Sequence, residues 1–151
     1  MSNSSPAPAN FRNYGLDEAG RRVFAGIAEA AAYFHGDRLP EVFSGFRREH
    51  FGVPVHYPVA CHPQAWAAGS VPILLQGLLG LTPEAFDGRL RVVRPVPPDG
   101  VDRVELRRLR VGEARVDLRF TRQEGAGVAV AVLKQQGRLD VVVDRSLHPA
   151  E

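Results

Sequence analysis

Cysteine is nearly missing from this 151-residue chain: Cys61 is the single copy, which rules out an internal disulfide framework and fits a reducing compartment. Lysine is as scarce. Lys134 stands alone beside 18 arginines, and an almost purely arginine set among many Ala, Gly and Pro residues reflects a GC-rich coding sequence rather than a polyanionic partner. Net charge is small. At +2 it leaves no electrostatic footprint for nucleic acid. Long hydrophobic runs are lacking too: the longest, Val71 to Leu81, falls short of a membrane span and is broken by Pro72 and Gly77. The opening "MSNSSPAPAN" has no basic region followed by an apolar core, so it reads as a leader over residues 1–12, not a signal peptide or anchor. These absences predict a soluble, cytoplasmic chain with no nucleic-acid and no membrane partner.

What is present is ordinary in bulk and uneven in order. An apolar share of 44% and a charged share of 24% are those of a globular protein of one domain, or of a piece of a larger one. From Asp17 to Phe34, Val23, Phe24, Ile27, Ala31 and Phe34 recur at helical spacing, with Asp17 as an N-cap and Gly36 as a stop. Residues 35–62 carry glycine, proline and aromatics without a period, as functional loops do. A second helix is expected from about Pro63 to about Gly80. Its Trp66, Val71, Ile73, Leu74, Leu75, Leu78 and Leu79 leave no solvated face, which predicts a helix buried among other helices. After "TPEAFDG" the pattern changes to strands: "RLRVVRPV", "DRVELRRL", "ARVDLRF", "VAVAVL" and "LDVVV", separated by "PPDG", "VGE", "QEGAG" and "QQG".

Two long strings, "AAAYFHGDRLPEVFSGF" and "PVHYPVACHPQAWAAGSVPILLQGLLGL", followed by "GRLRVVRPVPPDGVDRVELRRLRVGEARVDLRF", resemble the C-terminal end of bacterial glycogen-debranching-like glycoside hydrolases. These are of the amylo-alpha-1,6-glucosidase type, with relatives in the mannosylglycerate hydrolase, trehalase and glucoamylase clan. The resemblance covers roughly residues 11–145. It implies an α+β fold class: the C-terminal helices of an (α/α)6 toroid, followed by a small antiparallel β extension. The corresponding division is a leader over 1–12, terminal helices and active-site loop over 13–87, a β-rich extension over 88–146 and a tail over 147–151. The chain would then be the last part of a longer enzyme, inactive alone, with the missing part of the toroid on another chain.

By the same resemblance Glu41, in "RLPEVFSGF", is the base of an inverting reaction on α-glucosidic linkages, and the acid partner has no counterpart here. Inversion needs both carboxyl groups, because one protonates the leaving oxygen while the other activates water on the opposite face of the sugar. Read alone, Glu41 follows Pro40 between Leu39 and Val42, which fits a carboxylate facing a cleft and equally a loop glutamate capping a turn. Trp66 and Tyr57 offer apolar faces to pyranose rings, and Gln64 and His56 offer hydrogen bonds to hydroxyls. Core packing and loop bonding are the competing roles, and for Phe43 and Phe46 core packing is the better one. The expected partner is an oligosaccharide or glycogen-like glucan; the alternatives are a non-catalytic carbohydrate-binding module and a truncated product without function. No cofactor is expected. His50, His56 and His62 beside Cys61 lack the tight paired spacing of zinc ligands, so no metal is expected either. The arginines from Arg103 to Arg122 alternate with Val116, Leu118 and Phe120, which marks the solvated outer face of a sheet.

Overall fold

The alternation in "ARVDLRF" is realised directly, with Val116, Leu118 and Phe120 turned to one face and each no more than 1% exposed. The computed structural model describes residues 15–125 and 127–144, so the expected leader and tail lie outside the described residues. Among the described residues three α-helices precede six strands: α1 (Asp17–Ala31), α2 (Arg48–Phe51) and α3 (Ala65–Leu78), then β1 (Leu81–Glu84), β2 (Arg89–Val93), β3 (Arg103–Val111), β4 (Ala114–Arg122), β5 (Val128–Gln136) and β6 (Asp140–Asp144). The strands form two three-stranded sheets, ordered β1-β2-β6 and β3-β4-β5.

The main core belongs to the strands. Leu81, Leu90 and Val92 from the first sheet meet Val111, Val116, Leu118 and Phe120 from the second, and Leu79 at the end of α3 closes the cluster. Each such side chain, taken fully out of water, contributes about 1.5–3 kcal/mol. The helices bury far less: Gly20 and Ala30 are the buried residues of α1, and Leu78 that of α3.

These observations overturn the expected fold class. The chain is not the helical end of an (α/α)6 toroid with a small β appendage; more of the described residues lie in strands than in helices, and the core is a β core. Neither is the β part wholly antiparallel, since β6 runs parallel to β2 with Arg89 opposite Asp140 and Val92 opposite Val143. The apolar girth of α3 suggested helical neighbours all round. Instead its C-terminal end enters the β core, Leu75 packing there beside Leu79, while Trp66 stays 73% exposed and Ile73 43%.

The second sheet has an irregularity on both edges at one level. In β3, Arg107 and Arg108 lie between pairs Leu106–Leu118 and Leu109–Val116, so two residues face Asp117 alone. In β5, Leu133 is the extra residue between pairs Asp117–Lys134 and Leu118–Val132. Asp117 supports the first bulge: its Oδ1 accepts the backbone N–H of Arg108 at 2.6 Å, where Arg108 has φ 58°.

On the outer face of this sheet, the Arg107 guanidinium donates to Glu105 Oε2 at 2.9 Å and Arg119 Nε donates to Oε1 at 2.9 Å. The hydrogen bonds from Arg107, then from Arg119, hold the Glu105 carboxyl below its ordinary value of 4.5. A depressed carboxyl adds stability above its unfolded range and loses it as pH falls through the lowered value. Glu105→Gln is therefore expected to lower the melting temperature near pH 7 and to lower it less at about pH 2, as the carboxyl of the parent takes up its proton. Thermal melts at the two pH values check this. An equal gap at both would show that the charge is not what matters.

Candidate functional site

The expected site residues lie in the segment joining α1 to α3, except Trp66, which stands in the first turn of α3. Leu39 is 5% exposed and Pro40 is also buried, which anchors the start of the segment, and the next residue, Glu41, stands out in solvent. Its backbone N–H donates to the Cys61 carbonyl at 3.0 Å. The Cys61 N–H in turn donates to Glu41 Oε2 at 3.2 Å, so the carboxylate is held against a backbone amide twenty residues away.

Further ties join the two arms of this segment. His62 Nε2 donates to the Arg38 carbonyl at 2.9 Å, Ser44 N–H donates to the Val55 carbonyl at 2.8 Å, and Phe43 and His56 form an antiparallel bridge. Rings make tilted and edge-on contacts in a row: Phe43 to Phe34 at 5.7 Å, Phe34 to His62 at 5.6 Å and His62 to His56 at 5.4 Å between centroids. Phe46 lies on Phe51 at 4.5 Å, and Arg48 donates to both carboxylate oxygens of Glu29, at 3.1 and 3.2 Å, tying α2 to α1. The segment is thus a built structure rather than a slack connector.

The candidates divide by exposure. Glu41, Tyr57 (47% exposed) and Trp66 present accessible groups to solvent. Gln64 Oε1 accepts the Ala65 N–H at 2.9 Å and so caps the start of α3. His56 is turned into the row of rings, where its Nε2 is buried and has no hydrogen-bond partner. Phe43 packs on Phe34, whereas Phe46 remains 59% exposed despite its contact with Phe51. Among the described residues no group of three or more His, Cys, Asp or Glu side chains is placed to hold a metal ion, and the Cys61 thiol is free and exposed. The sequence had shown His62 only as part of a histidine spacing. Its hydrogen bond to Arg38 and the Cys61 amide under Glu41 had no motif to announce them.

A cavity of about 660 Å³ opens elsewhere, between the turn at residues 85–87 and the start of β6, lined by Phe86, Arg89, Arg138 and Asp140 among others. It contains none of the candidate residues. The α1–α3 segment is the better candidate because there an exposed carboxylate accepts a hydrogen bond from a backbone amide, and the segment also exposes Tyr57. No helix among the described residues is long and apolar enough to cross a membrane. Compared with protein-family models, curated proteins and solved structures, the chain matches none of them.

Proposed function

We propose that the α1–α3 segment is a glucan-binding face and that Glu41 serves there as the water-activating carboxylate for inverting hydrolysis of an α-glucosidic bond. The observation that carries the proposal is the Glu41 carboxylate: exposed, yet fixed by Cys61 N–H, with Tyr57 exposed on the same segment and Trp66 exposed in the first turn of α3. A base must face water and keep its direction, and a hydrogen bond from a backbone amide meets the second need while leaving the carboxylate able to accept a proton. The resemblance of "RLPEVFSGF" and "PVACHPQAWAAG" to glycogen-debranching sequences supports the choice of substrate. The general acid comes from a second chain, and the assembly works in the cytoplasm.

A binding module without chemistry is the second reading, and the exposure of Trp66 at 73% favours it, since stacking on a sugar needs no acid. Titration with maltooligosaccharides, together with an assay for released sugar, separates the outcomes. The isolated chain is expected to bind but not hydrolyse; Trp66→Ala is expected to weaken binding on the order of tenfold, the loss of about 1.4 kcal/mol of stacking. In the assembled enzyme Glu41→Gln is expected to lower kcat by about 10² to 10⁴ with little change in binding. Failure of the chain to bind any glucan would overturn the glucan-binding face, and turnover by the chain alone would overturn the second-chain acid.

A further inference from the structure

The direction of Glu41 depends on more than the Cys61 amide. Arg38 to Glu41 and Cys61 to His62 lie side by side, joined at one end by the two Glu41–Cys61 hydrogen bonds and at the other by His62 Nε2 donating to the Arg38 carbonyl. Only the last of these contacts is made by a side chain other than Glu41's own. Because a carbonyl cannot donate, Nε2 must carry the proton, which fixes the orientation of the ring as well as its tautomer. The ring is further held between Phe34 at 5.6 Å and His56 at 5.4 Å.

We infer that His62 is the positioning residue of this site: its imidazole pins the Arg38 end of the four-residue stretch, so that Glu41 at the other end stays on the Cys61 amide. Removing the donor frees the Arg38 carbonyl, and the stretch then pivots about Leu39 and Pro40, carrying the carboxylate off the amide. His62 touches no substrate in this scheme. Its effect passes entirely through Glu41, and the catalytic consequence rests on the glucan-hydrolase reading above, whereas the structural link does not.

Two substitutions separate the donor from the ring. Phenylalanine keeps an aromatic face for Phe34 but has no N–H, while glutamine places an amide N–H at a reach similar to Nε2. The readout is the Cys61 amide resonance in ¹⁵N-labelled protein, with the amides of β4 reporting that each variant is folded. In the parent, Glu41→Gln replaces a charged acceptor by a neutral one and displaces the Cys61 resonance. In His62→Phe the same change is expected to displace it at least about threefold less, as a double-substitution cycle between coupled residues requires. Hydrogen exchange at Cys61 is expected to quicken by roughly tenfold in His62→Phe and to return to near the parent rate in His62→Gln. Equal displacement by Glu41→Gln in the parent and in His62→Phe overturns the inference, and so does a His62→Gln protein that behaves as His62→Phe does. Maltooligosaccharide titration of the same samples tests the other reading separately: an intact cycle with no glucan binding keeps His62 as the positioning residue and removes the glucan.

Discussion

Gly80→Ala is expected to destabilise the protein by about 4 kcal/mol, a large part of the stability of a marginally stable domain. Gly80 joins α3 to β1 with φ 64°, and a Cβ built there lies 1.9 Å from the Val93 carbonyl oxygen and 2.8 Å from its carbon. Those are backbone atoms. Val93 cannot rotate away as a side chain would, and it is held in place because its N–H donates to the Gly80 carbonyl at 2.9 Å. Two costs add: about 1–2 kcal/mol for an L-residue at positive φ, and about 1–3 kcal/mol or more for the overlap. Gly100, at φ 74° with nothing within 4 Å of its Cβ, provides the control. Gly100→Ala carries the first cost alone, so urea unfolding should show a loss of about 1–2 kcal/mol. Equal losses at the two positions would mean that the close approach to Val93 is relieved at no expense.

Phe120→Ala is expected to cost about 3–5 kcal/mol, the range for removing an aromatic side chain from a packed interior. Phe120 is 0% exposed toward the end of β4, with Val104 opposite in β3 and Val130 opposite in β5. Both flanking strands therefore lose a cross-strand partner at once. By contrast, Phe86→Ala should shift the urea midpoint very little, because that ring already lies fully in solvent at 107% exposure. A loss below about 1 kcal/mol at Phe120 would show that the sheet collapses into the vacated space, and that the two sheets are less rigidly packed than their burial implies.

The strands were the most legible part of the sequence. All five expected segments became strands, since alternation as in "ARVDLRF" reports directly which side chains face the core. β1 escaped notice: "LTPE" is four residues long and contains Pro83, which is tolerated because β1 lies at an edge of its sheet. The parallel pairing of β2 with β6 was equally hidden, because alternation says nothing about which distant strand lies alongside. For α3 the periodicity placed the helix but misjudged its surroundings; apolar girth measures what a helix avoids, not what lies against it. Asp17 was expected to cap α1, yet Leu16 holds that place and Asp17 is the first helical residue, its carboxylate 3.7 Å from Arg94. In the candidate site, the sequence supplied Glu41, Tyr57 and Trp66 as side chains suited to a sugar, and all three are exposed, Trp66 at the start of α3. It concealed the two groups that aim Glu41, the Cys61 amide and the Arg38 carbonyl, because bonds to backbone groups 20 and 24 residues away leave no trace in residue type.

The paired bulges flanking Asp117 also affect how copies of this chain meet one another. An open sheet offers two free edges, and a straight edge with its rows of N–H and C=O groups is a template on which another strand can add. Here both edges are interrupted at one level, by Arg107–Arg108 in β3 and by Leu133 in β5. A strand docking from either side would match the ladder for a few residues and then fall out of step. The same displacement that bends the sheet thus guards Val132 and Leu133, exposed on the β5 edge, against growth into fibrils.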